Sequence, residues 1–180
     1  MGILGSAFQD PLVEGADIVT GSTHKTFHGP QRGIIASNLD KGSPLRKFWT
    51  EVNSRAFPGS TSNHHLGSQL ALLAATLEMN HFRDSYQPQV VSNAQAFAKA
   101  CAAHGIPVEG GEAEGYTQTH QVVIRVSPFG DGKEVAWRLE RNNVVTNFQA
   151  LPDDQTFYHP SGIRMGVQEM TRFGMKETDF

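Results

Sequence analysis

The segment Asp17-Ile18-Val19-Thr20-Gly21-Ser22-Thr23-His24-Lys25-Thr26-Phe27-His28-Gly29-Pro30 sets hydroxyls, histidines and one lysine between a short apolar run and a Gly-Pro turn. This is the pattern of a strand end that delivers a lysine into a site lined by small polar groups. A lysine held out of bulk water near other cations has a lowered pKa, and its free amine attacks aldehydes to form a Schiff base. The same lysine taken alone is also read as an ordinary solvated charge. A second residue of interest is Arg164, within Pro160-Ser161-Gly162-Ile163-Arg164-Met165-Gly166. Small neighbours leave the approach to its guanidinium clear, and a guanidinium grips a carboxylate bidentately. Taken alone, Arg164 is read first as one half of a surface salt bridge.

Other chemistries find little support. The chain has eight histidines, but the adjacent His64 and His65 would point apart on a helix. No histidine has an acidic partner at metal spacing, so no metal is expected. A nucleotide-type glycine loop is missing, and no serine sits in a strand-to-helix elbow. The single cysteine, Cys101, excludes an internal disulfide and fits a reducing compartment. Its place on the apolar face of an expected helix suits a small buried thiol. A net charge of −3 without a basic block argues against a nucleic-acid surface. No apolar run approaches the roughly 18 residues needed to cross a bilayer. Met1-Gly2-Ile3-Leu4-Gly5 lacks the basic start and apolar core of a secretory signal. The nucleophile candidates reduce to Lys25.

The elements that must position these residues follow from pattern. Residues 17–20 and 33–37 read as strands joined through the Gly29-Pro30 turn. Ser43 as cap and Pro44 at the first helical position predict a short helix to Val52. Residues 56–67 form a polar loop, Phe57-Pro58-Gly59-Ser60-Thr61-Ser62-Asn63-His64-His65, whose backbone amides suit an anion. Leu66, Leu70, Leu73, Ala74 and Leu77 share one face of a helix, expected to be core. The pattern changes around Tyr86-Gln87-Pro88, and a domain junction is placed near residues 82–92. A second helix carries Val90, Val91, Ala94, Phe97, Ala98 and Cys101 on one face and stops at Gly105 with Pro107 beyond. Strands are predicted at Val108-Glu109, residues 121–126, Val144-Val145-Thr146 and residues 161–166, with a helix over residues 133–142. The alternation suits an α/β layer. Thr178-Asp179 reads as the cap of a helix about to begin, so the sequence is expected to be part of a longer chain.

Residues 22–30, Ser-Thr-His-Lys-Thr-Phe-His-Gly-Pro, resemble the pyridoxal-phosphate lysine segment of the serine hydroxymethyltransferase family. Phe57-Pro58-Gly59 resembles the loop that follows, and Tyr86-Gln87 through Asn93-Ala94 the interdomain helix. His120-Gln121-Val122-Val123, Leu151-Pro152, the Ser161–Gly166 segment and Thr171-Arg172 are similar to the later motifs in order and spacing. The resemblance covers nearly the whole chain. It implies fold type I of the pyridoxal-phosphate enzymes, with residues 1–87 as the C-terminal part of the large domain and 88–180 as a truncated small domain. It also implies cleavage or formation of the Cα–Cβ bond of β-hydroxy amino acids, as in hydroxymethyl transfer between serine and glycine with tetrahydrofolate. Lys25 would hold the cofactor as a Schiff base. His24, Ser22 and Thr23 would line it, Arg164 would hold the substrate carboxylate, and His120 would be structural. Ser62 and Asn63 stand where the family has a Gly-Gly pair that contacts the cofactor phosphate of the partner subunit, which implies a homodimer with shared sites; a cytoplasmic setting is expected, in keeping with the single cysteine.

Departures define the alternatives. Gly29-Pro30-Gln31-Arg32-Gly33 stands for the family's Gly-Pro-Arg-Gly-Gly, and Asn147-Phe148-Gln149 for an Asn-Lys-Asn run near the folate pocket. Gln149 is the folate-region residue. A folate-independent threonine aldolase or transaldolase on the same scaffold is the enzymatic alternative. An inactive paralogue serving as a binding or oligomerisation partner is the alternative of another class. The 180 residues alone are expected to bind pyridoxal phosphate weakly and to turn over little. Absorbance that develops when pyridoxal phosphate is added should disappear in Lys25→Ala; tight binding with full turnover by the isolated chain would contradict the expectation.

Overall fold

The computed structural model describes residues 7–39 and 42–180; the reading of Met1–Gly5 lies outside them. The chain divides into two compact units, Met1–Asp84 and Ser85–Phe180.

In the first unit, β1 (Val19–Ser22) and β2 (Gly33–Ala36) pair antiparallel, with Val19 opposite Ala36 and Ser22 opposite Gly33. The β-branched residues Val19, Ile34 and Ile35 favour the pleated conformation. β1 lies later than the expected 17–20 because the ladder runs on to the turn, where the Thr23 amide donates to the Arg32 carbonyl at 2.9 Å. Helix α1 (Arg46–Ser54) starts after the predicted Ser43-Pro44. The Ser43 hydroxyl accepts from the Leu45 amide at 3.2 Å, forming a local turn before the helix in place of a cap on it. A distorted turn, Arg55–Ser60, then occupies the front of the predicted loop.

Helix α2 (Leu66–Ala103) replaces the two helices expected from the sequence. Pro88 lies inside it, where it removes one backbone donor at a cost of about 3 kcal/mol. Good helix formers flank it, and beyond Pro88 the face of Val90, Ala94, Ala98 and Cys101 is buried. The division between units thus falls within a helix, with no linker. The face of Leu66, Leu70, Leu73 and Leu77, expected to be core, is more than half exposed, and Ala75 and Met79 are the buried apolar residues of that stretch.

In the second unit, β3 (Gln121–Arg125), β4 (Asn147–Gln149) and β5 (Gly162–Gly166) form an antiparallel sheet in the order β3-β5-β4. Between β3 and β4 runs α3 (Gly132–Glu140), capped by the Asp131 carboxylate, which accepts from the Lys133 amide at 2.9 Å. Helix α4 (Gln168–Arg172) follows β5. The expected strand at Val108-Glu109 is reduced to a single bridge from Val108 to Ile124. The strand expected at Val144-Val145-Thr146 lies later, at β4. After α3 the chain still has to reverse direction, with Asn143 at φ 65 and the Val144 amide bonded to the Leu139 carbonyl. Turn formation overrides β-propensity there. The predicted helical start at Thr178-Asp179 is a single turn, Glu177–Asp179.

Sheet parity separates two faces. Val122, Ile124 and Ile163 are buried on one. The other carries Gln121, Val123 and Arg125 of β3, Arg164 of β5, and Asn147 and Gln149 of β4.

Asn93, fully buried in α2, donates to the Thr171 hydroxyl and the Met175 carbonyl, both at 2.9 Å, and accepts from Gln89 Nε2 at 2.8 Å. Asn93→Ala removes the donor to one buried and one part-buried acceptor. It should cost roughly 2–4 kcal/mol, read as a lower midpoint in chemical denaturation; an unchanged midpoint would contradict the assignment.

Candidate functional site

Each unit carries its own part of the predicted set. In the first, β1 ends at Ser22 and the chain loops through His24 and Lys25 before β2. Thr23 closes this loop. Its hydroxyl lies 2.5 Å from the Pro30 carbonyl and 3.0 Å from the Arg32 carbonyl, and its own carbonyl accepts the Gly29 amide at 2.7 Å. Gly29 is required here, because a Cβ would stand 2.8 Å from the Thr23 carbonyl oxygen. The His28 amide donates to the Lys25 carbonyl at 2.9 Å, with His28 at φ 56, so the lysine sits at the crest of a tight turn. Thr23 is buried, while Ser22, His24 and Lys25 are exposed. Among the described residues the Lys25 ammonium has no hydrogen bond or ion pair. The Thr23 hydroxyl is directed at two carbonyls inside the loop, while Ser22 is exposed close to Lys25.

Ser62 and Asn63 line an open cleft of about 570 Å³ in the same unit, together with Arg32, His64 and His65. Lys25 is not among the lining residues. The Asn63 side-chain Oδ1 accepts from the His64 amide at 2.9 Å, which fixes the turn that leads into α2. The sequence reading missed Arg32 as a cation of this cleft. The departure at Gln31-Arg32 held that signal, since it moves the arginine by one position.

In the second unit Arg164 and Gln149 line one cavity of about 760 Å³, with Glu109, Val123 and Asp154 also on its wall. Arg164 lies opposite Val123 on β3 and Asn147 on β4. Among the described residues it makes no hydrogen bond or ion pair. The neighbouring carboxylates are engaged elsewhere. Asp154 Oδ2 accepts the Leu151 and Ser161 amides, each at 2.8 Å. Hydrogen bonds from Ser161 and these amides hold its pKa below the ordinary aspartate value. Glu109 and Asp153 are held by Arg125, which the sequence reading did not single out. Strand parity within Gln121-Val122-Val123-Ile124-Arg125 was the signal that could have found it. Burial first, and the Arg164 charge with it, push the His120 imidazole below the usual histidine value, so it is neutral at pH 7. No group of three or more metal-ligating side chains occurs among the described residues.

The crystal structure of L-threonine transaldolase from Pseudomonas fluorescens, in its internal aldimine state, matches 97% of this chain with a TM-score of 0.83 at 36% identity. The match takes in 38% of that chain. The architecture is that of fold type I pyridoxal-phosphate enzymes. A family model for serine hydroxymethyltransferase matches residues 2–180, and the chain belongs to that family. Serine hydroxymethyltransferase of Pyrobaculum aerophilum is 49% identical over 96% of this chain. That of Archaeoglobus fulgidus is 48% identical over 98%. The chain spans 39% of the length of each.

Thr23→Val keeps the shape of the side chain and removes its hydroxyl. It should cost about 1–2 kcal/mol locally, seen as faster hydrogen exchange at the Gly29 and Thr23 amides. Unchanged protection would show that the hydroxyl does not close the loop.

Proposed function

We propose that this chain contributes to a pyridoxal-phosphate-dependent enzyme that makes and breaks the Cα–Cβ bond of β-hydroxy amino acids, transferring a hydroxymethyl group between serine and glycine with tetrahydrofolate as co-substrate. The observation that carries this reading is the unpaired Arg164 in its cavity, in a chain that belongs to the serine hydroxymethyltransferase family. The first unit's residues fit the cofactor: Lys25 offers an amine without a competing partner, on a loop whose base Thr23 fixes. In this reading the first unit belongs to a larger cofactor domain and the second is the small domain.

Lys25 would hold the cofactor covalently, with Ser22 and His24 beside it. When bound, pyridoxal phosphate supplies an electron sink for the pair left by bond cleavage. Arg164 binds the substrate carboxylate through two parallel N–H donors, which fixes the orientation of the Cα–Cβ bond. His120, neutral, adds no competing charge next to it. The Ser62-Asn63 segment is assigned to the cofactor phosphate of a partner subunit in a homodimer. Gln149, on the wall that holds Arg164, is the residue assigned to the folate side. A cytoplasmic setting accords with a lone buried cysteine; among the described residues no helix is long and apolar enough to cross a membrane.

The transaldolase likeness and the Phe148-Gln149 departure favour a second reading, a folate-independent threonine aldolase or transaldolase. An inactive paralogue would bind no substrate at Arg164. Serine with tetrahydrofolate and threonine without it are the two assays that separate these readings, run on the complete cofactor-loaded polypeptide. The first reading expects folate-dependent serine turnover. Threonine cleavage indifferent to folate selects the second, and no turnover with either selects the inactive paralogue.

A further inference from the structure

On the sheet face that carries Arg164, a second arginine is fully committed. Arg125 donates from Nη2 and Nη1 to the two carboxylate oxygens of Asp153, at 2.8 and 3.0 Å. Its Nε donates to Glu109 Oε1 at 2.9 Å. Glu109 is tied to the same sheet, with its amide bonded to the Val123 carbonyl at 2.8 Å. Val123 in turn stands opposite Arg164. Glu109 and Arg164 therefore flank a short Val123 across two strand spacings, about 10 Å, and both line the same cavity. Arg164 is the one cation among the residues lining it.

A carboxylate freed at position 109 would have Arg164 as the nearest unpaired cation on this face. Asp154 is held in place differently: its Oδ2 accepts the Leu151 and Ser161 amides, so it is fixed independently of Arg125 and is not released with Glu109. We propose that Arg125 is a positioning residue for Arg164: by holding Glu109, which lines the same cavity, it keeps that carboxylate away from the Arg164 guanidinium, which stays open for the substrate carboxylate; Asp153, outside the cavity wall, anchors the other end of Arg125. The pairing acts as a decoy in reverse, since the internal anions are satisfied by a cation that binds no substrate. The inference rests on the reading of Arg164 as the carboxylate-binding group.

The test uses the complete cofactor-loaded enzyme with the amino acid it turns over, L-serine or L-threonine. Arg125→Met should raise KM about tenfold with kcat little changed, because the loss falls on binding alone. Adding Glu109→Gln to Arg125→Met should return KM close to its starting value, since the competitor is then neutral. Arg125→Lys, which keeps the charge, should rescue in part. A second readout needs no turnover: the Arg164 Nε–H resonance should shift in Arg125→Met and return in the double variant. If Arg125→Met does not fold, Arg125→Gln takes its place. A KM raised in Arg125→Met and unrestored by Glu109→Gln marks a merely structural role and overturns the proposal. So does an unchanged KM in Arg125→Met where Arg164→Lys raises it; the carboxylate reading then stands. An unchanged KM in Arg164→Lys overturns the carboxylate reading itself, and the proposal with it.

Discussion

Strand β5 is hydrogen-bonded along both edges, to β3 on one side and β4 on the other. The chemistry of the second unit depends on that double pairing. A slip of one residue on either side would turn Arg164 into the apolar layer and Ile163 out of it, an exchange that would bury a charge and expose a fully buried side chain. Register is thus specified by the core on one face, and the opposite face inherits a fixed place for its guanidinium. The glycine at the start of β5 lets its neighbours close in, since a Cβ on Gly162 would stand 2.6 Å from the Leu151 side chain and 2.8 Å from the Gln149 carbonyl oxygen.

Much of this arrangement was legible in the sequence because it rests on local pattern. Alternating apolar residues at Gln121–Val126 located β3, and Gly162 through Gly166 located β5. The lysine segment stood out through its concentration of small polar residues. What failed was contextual. Pro88 signalled a helix end, but one helix runs through it, and burial of Val90, Ala94 and Ala98 outweighs one lost hydrogen bond. Val144-Val145-Thr146 had the composition of a strand, and the geometry of leaving α3 displaced it to Asn147–Gln149.

Side-chain roles were harder to read than elements. Thr23 and Ser22 are adjacent and chemically alike, and the sequence offered no way to tell that one hydroxyl would turn inward to two carbonyls while the other stayed exposed. Arg125 carried no motif at all. Its place becomes visible only when Glu109 and Asp153, distant in sequence, are brought to the same sheet face. The leucine stripe of α2 shows the converse: periodicity assigned it correctly to one helix face, yet periodicity is silent on whether anything covers that face.

The closure of the lysine loop at Thr23 has a kinetic meaning. Lys25 lies two residues from a residue anchored at both its amide and its hydroxyl, so its amine searches only a small volume. A carbonyl compound held against that loop meets the amine at an effective concentration on the order of millimolar or above, independent of how much amine is in solution. In the role proposed for Lys25, recapture after each release would be intramolecular. Its rate is set by tether length, which the fold has fixed, and a longer or looser loop would dilute the nucleophile without altering its chemistry.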